Sequence, residues 1–129
     1  MSGTSVYFVE ELGPDDEVLH IKIGHCTQFR ESYRLSTLQT GNPRKLKMRF
    51  HAVGTEREEQ WLHYFFRIAR VEQSEWFHRH ASLVQFIEHC EAKRTLDLVH
   101  LSPCTWKIKE GQRTRILPSC QGCDTCRAS

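Results

Sequence analysis

At 129 residues, with 39% hydrophobic and 26% charged side chains, the chain suits one compact domain with a small appendage. No apolar run approaches the roughly 20 residues of a membrane helix, and MSGTSVYF lacks the basic and apolar regions of a secretory signal, so a soluble, cytosolic protein is expected. The net charge of +2 conceals an uneven distribution. Residues 1–19 hold five acids and no Lys or Arg, whereas 20–50 hold seven basic residues against the single acid Glu31. Segment 51–93 is mildly acidic, and 94–129 is basic again at six against three. Two basic zones around an acidic helix suit a polyanion approaching a carboxylate-bound metal. Solvated charged faces are the plainer reading of the same runs.

Alternation predicts a strand over 5–10, with Val6 and Phe8 on one face and Tyr7 and Val9 on the other. Gly13-Pro14-Asp15-Asp16 is a turn. A second strand over 17–24 sets Leu19, Ile21 and Ile23 against Val18, His20 and Lys22. If the apolar sets of both strands turn inward together, Tyr7 and Lys22 share the other face. Thr27 is placed to cap a helix reaching about residue 39, which Gly41 and Pro43 stop. Arg30 and Arg34 are neighbours on that helix. A third strand over 46–53 is expected to turn Leu46, Met48, Phe50 and Ala52 to the core and Lys47, Arg49 and His51 outward.

Thr55-Glu56-Arg57-Glu58 is a capping box opening a helix to about residue 70, with Trp61, Leu62, Phe65, Ile68 and Ala69 as its buried stripe. Glu59, His63, Phe66 and Arg70 follow one border of that stripe, where a carboxylate can be half-buried and still reach a site. A further helix over 82–93 buries Leu83, Phe86, Ile87 and Cys90. Beyond it, 105–109 and 113–117 can pair as a basic hairpin carrying Lys107, Lys109, Arg113 and Arg115. Cys120-x-x-Cys123-x-x-Cys126 follows, with fifteen residues between it and Cys104. Clustered thiols in a chain without a signal peptide point to metal before disulfide, and four would close a structural zinc tetrahedron; His100 is an alternative to Cys104. Reduced, unliganded thiols are the plainer reading.

The order VYF, then Lys22-Ile23-Gly24, then Arg34-Leu35 leading into Gln-Thr-Gly-Asn-Pro resembles the GIY-YIG nucleases, in particular a phage-type subgroup whose second motif reads KIG. Glu59 four residues before His63, and Glu75-Trp76-Phe77, match that subgroup's later Glu-x-x-Leu-His and EWF segments. The resemblance covers about residues 5–90. It implies Tyr7 as the first-motif tyrosine and Lys22 in the second-motif tyrosine position, both at the nucleophile. It implies Arg34 on phosphate, with Arg30 as the substitute, and Glu59 on Mg²⁺ or Mn²⁺. His63 binds phosphate, shuttles a proton or packs. A phenol titrating near pH ~10 is a poor base unless a cation lowers it, and Lys22 is expected to do so.

The expected fold is α+β (α/β in the broad sense). A small three-stranded, mainly antiparallel sheet is flanked by about three helices over 1–94, and 95–129 is a basic, Cys-rich zinc-binding extension. The expected function is metal-dependent hydrolysis of DNA phosphodiester bonds in a bacterial or phage-infected cell. Arg30, Arg44, Lys45, Lys47, Arg49 and the hairpin cations contact nucleic acid, and a protein partner or assembly supplies specificity. The alternative is a non-catalytic nucleic-acid-binding or regulatory module that keeps the fold.

Overall fold

Strands β1 (Thr4–Leu12) and β2 (Val18–Thr27) form the centre of the sheet, joined by a turn closed by the Gly13 N–H to Glu17 carbonyl bond at 2.8 Å. The computed structural model describes residues 3–101. The expected 105–117 hairpin lies outside those residues, as do its four cations and Cys104, Cys120, Cys123 and Cys126. After β2 come α1 (Glu31–Gln39), β3 (Lys45–Val53), α2 (Glu56–Phe65), β4 (Trp76–His78) and α3 (Ala81–Lys93). The sheet is antiparallel in the order β3-β1-β2-β4, so the fold is α+β, with three helices and four strands rather than three. The fourth strand has three residues, too few for a period to be read, and it exists through its pairing with the outer edge of β2.

Both sheet faces are covered, and the continuous apolar run Val6–Val9 of β1 is buried on each. Val6, Phe8, Ile21 and Ile23 pack against Trp61 and Leu62 of α2 and Phe86, Ile87 and Cys90 of α3. Tyr7, Val9, Cys26 and Leu46 form a smaller cluster on the opposite face, closed by Leu35 and Leu38 of α1. The cross-strand pairs Tyr7–Gly24 and Val9–Lys22 put Tyr7 and Lys22 on that same face, as strand parity predicted.

Several local expectations are corrected. Strand β2 runs on to Thr27, which therefore caps nothing; α1 begins at Glu31 behind Arg30, with no side-chain cap. The register of β3 shifts between Phe8 and Val9, leaving Arg49 as an extra residue. Leu46 and Met48 consequently face α1, whereas Phe50 packs with Phe8, so the four apolar residues of β3 do not share one face. The capping box of α2 is present, with Glu58 N–H to Thr55 Oγ1 at 3.0 Å and Thr55 N–H to Glu58 Oε1 at 2.8 Å. However, α2 ends at Phe65 and a 3₁₀ turn (Arg67–Ala69) follows. That break turns Phe66 and Ala69 inward and leaves Ile68 90% exposed. Among the described residues, no helix is long and apolar enough to cross a membrane.

Candidate functional site

The shortness of β4 shapes the site. Its pairing with β2 ends at Lys22–Trp76, and the Ile23 N–H then donates to the Glu75 carbonyl at 3.1 Å. The Ile23 carbonyl points the same way and accepts from His63 Nε2 at 2.8 Å. Beyond it the outer edge of β2 has no strand neighbour among the described residues. Side chains from α1's face and from α2's face meet along that edge.

From one side comes Tyr7, whose ring lies over Gly24. A Cβ at Gly24 would fall 2.5 Å from the Tyr7 hydroxyl oxygen and 2.6 Å from Cζ, so only glycine admits the ring. Burial pushes the phenol up to about 12; Arg34 acts against this, while Glu75, Cys26 and Glu59 add to it. The expectation that Lys22 would lower this group is therefore corrected. The cation acting on Tyr7 is Arg34, exposed on α1, whereas Lys22 is buried and ion-paired to Glu75. Burial alone would raise the Glu75 carboxyl, but its hydrogen bond and charge interaction with Lys22 leave it below the usual carboxylate range.

From the other side comes Glu59, in the first turn of α2 and 3% exposed, more deeply buried than its place on the helix border suggested. Oε1 accepts from His25 Nδ1 at 2.9 Å. Oε2 has no hydrogen-bond partner, since His63 Nε2, 3.5 Å away, donates to Ile23 instead. Burial raises the Glu59 carboxyl above its ordinary value, against the lowering influence of His63 and His25. The Ile23 carbonyl and the Glu59 carboxylate can only accept, so His63 carries its proton on Nε2 and His25 on Nδ1. A neutral His25 then keeps a lone pair on Nε2, which lies 4.0 Å from the exposed Glu56. His25 was missed because the second strand was expected to end at Gly24. Glu75 was noticed only within EWF, without its partner.

No family model, curated protein or solved structure matches this chain.

The fold thus draws Tyr7, Arg34, Glu59 and His63 together, with Lys22 held beside them by Glu75. Among the described residues no three His, Cys, Asp or Glu side chains converge as a metal site. A divalent cation at Glu59 would have one protein carboxylate oxygen, with water and phosphate oxygens completing its shell, a mode that suits Mg²⁺. The orphaned, buried Oε2 fits that demand. The expected nucleic-acid contacts divide. Arg30 stacks over the Tyr33 ring at 4.7 Å, and Lys45 and Lys47 are exposed on edge strand β3. Arg44 lies 3.9 Å from Glu11. Arg49, expected to face outward with Lys47 and His51, lies with Lys47 on the α3 side, while the bulge sends His51 to the Tyr7 side. Arg49 binds Glu10 at 2.7 Å and Glu91 at 2.7 and 3.1 Å, which removes it from any phosphate track.

Proposed function

We propose that this protein is a metal-dependent endonuclease of the GIY-YIG kind, acting on DNA. Its main support is the Glu59 carboxylate, buried with one oxygen unsatisfied, at the edge where Tyr7 and Arg34 converge. A buried acceptor without a partner is costly, and a cation relieves that cost. A divalent ion bound there would polarise a phosphate oxygen and lower the pKa of a coordinated water.

The protein's own groups have separable roles. Arg34 presents a planar fork to two phosphate oxygens. Tyr7 stays protonated far above neutral pH, so it donates its O–H and positions water or phosphate rather than acting as a base. His25, oriented by Glu59 through Nδ1, offers Nε2 as the proton acceptor. His63 is a positioning residue: it fixes the open edge of β2 and stands beside Glu59. Lys22 fills the second-motif tyrosine position as a cation neutralised by Glu75, and it contributes burial and orientation.

Supercoiled plasmid incubated with the protein and Mg²⁺ or Mn²⁺ is expected to be nicked, and Glu59→Ala to abolish nicking. Salt-sensitive binding by the parent with no metal-dependent nicking would sink the enzyme and leave the alternative, a nucleic-acid-binding module on the same fold. The raised Tyr7 phenol and the neutralised Lys22 are the observations that favour that alternative.

For the tail we propose a structural Zn²⁺ held by Cys104, Cys120, Cys123 and Cys126. His100 stacks on His89 with ring centres 3.7 Å apart, an engagement that favours Cys104 over it as fourth ligand. Zinc per chain is expected to be close to one and to fall in Cys123→Ser; equal zinc in both proteins refutes the site.

A further inference from the structure

Beside the Tyr7 cluster the same sheet face carries a groove of about 340 Å³ that the proposed cleavage does not use. Its deep part is Ser5 and the Glu31 carboxylate, both largely buried; His51, Phe29 and Val53 stand around it and Arg94 at the margin. Ser5 lies two residues before Tyr7 on β1, and His51 is Tyr7's cross-strand partner on β3. Directly opposed strand residues are about 5 Å apart. The groove therefore begins one residue's width from the Tyr7 ring.

Its most telling wall is Phe29. This residue is 91% exposed and has φ of 68°, a left-handed backbone that a bulky side chain adopts only under strain. An aromatic ring held in water on strained backbone contributes nothing visible to the fold. Tyr33, also exposed, lies four residues on, with Arg30 stacked over it and Arg34 beside it in sequence. Exposed rings interleaved with arginines form a stacking and phosphate surface. The groove's interior is an acceptor. Burial favours a neutral Glu31, but the Ser5 hydroxyl, the helix-start N–H and His51 overcome this, and the carboxyl sits below its usual range. At about 340 Å³ the space is large enough for one flat heterocycle.

We infer that this groove receives one unpaired, amino-bearing nucleobase of the strand whose phosphate lies at Arg34, so that the protein acts on nucleic acid with a single-stranded or locally opened segment. The base stacks on Phe29, its amino group donates to Glu31, and Arg30 and Arg94 flank its phosphates. Cytosine, adenine and guanine offer that donor. Thymine has no amino group; its one donor on that edge, N3–H, sits between two carbonyl oxygens that the carboxylate repels, so it is disfavoured. This deepens the nuclease proposal and rests on it only for the path of the strand.

The test is fluorescence anisotropy of labelled dC12, dT12 and a 12-base-pair duplex with the full chain in EDTA, where no cleavage intervenes. The expected order is dC12 tighter than dT12 and duplex. Phe29→Gly should weaken dC12 by roughly 5- to 100-fold, the range for loss of one base–aromatic stack, while Tm holds or rises as the strain is relieved. Glu31→Gln, whose amide pairs with either base, should erase the dC12/dT12 difference. Affinity for dC12 within twofold of the parent in Phe29→Gly, or duplex binding as tight as dC12, overturns the inference. Plasmid nicking without Phe29 dependence defeats the groove alone; dC12 binding through Phe29 without nicking defeats the nuclease alone.

Discussion

Replacing Gly24 by alanine tests the contact on which the site is built. The added Cβ would lie 2.5 Å from the Tyr7 hydroxyl oxygen and 2.6 Å from Cζ, about 1 Å inside ordinary van der Waals contact. Tyr7 is 2% exposed and packed among Val9, Cys26 and Leu46, so the ring has little room to retreat. Overpacking of this kind costs about 1–3 kcal/mol, which corresponds to a Tm lowered by roughly 5–15 °C. Tyr7→Ala should itself cost about 3–5 kcal/mol, as large-to-small aromatic changes in a core do. With the ring gone, alanine at position 24 meets nothing from it and gains about 0.5–1 kcal/mol over glycine in a strand. The two substitutions should therefore couple by about 1.5–4 kcal/mol in a double-mutant cycle measured by urea unfolding. Equal destabilisation by Gly24→Ala in the parent and in the Tyr7→Ala variant would refute the packing argument. If the chain nicks DNA, moving the hydroxyl by ~1 Å should also lower nicking by up to about 100-fold.

Two further outcomes follow from the charges. Arg49→Met leaves Glu10, 5% exposed, as a buried carboxylate without its cation; breaking such a pair costs about 3–5 kcal/mol. Urea unfolding measures this, and Glu10→Met/Arg49→Met should recover most of it; nicking by the single variant stays at the parent's rate if Arg49 is outside the site. For Glu59 the native carboxyl is raised, so the folded state holds the proton more tightly than the unfolded state. Stability from this group is greatest below the unfolded value, near pH ~4.3, and falls as pH rises to the higher native value. Unfolding of Glu59→Gln should lack that decline and leave it more stable than the parent at neutral pH; parallel stability–pH curves would refute the raised carboxyl.

Much of the scaffold is legible from short-range rules. Val6, Tyr7, Phe8 and Val9 read as a strand, and Thr55 with Glu58 fixes the start of α2. The face shared by Tyr7 and Lys22 follows from parity alone. These are local statements, decided by side-chain period and by hydrogen bonds spanning a few residues.

What the sequence could not decide depends on partners distant along the chain. The bulge at Arg49 answers to Glu10 and Glu91, which lie 39 and 42 residues away, and no pattern within β3 announces it. Strand β4 exists because Ile21 and Lys22 offer an unpaired edge. Lys22 looks like a cation aimed at Tyr7 until Glu75, 53 residues on, neutralises it. Burial sets the rest: it holds the Tyr7 phenol high and leaves Glu59 Oε2 without a partner, and burial belongs to the packed whole. Sequence by itself determined which residue types stand where periods and caps dictate. The tertiary structure decided which charges remain free to meet a substrate, because desolvation and pairing act through space.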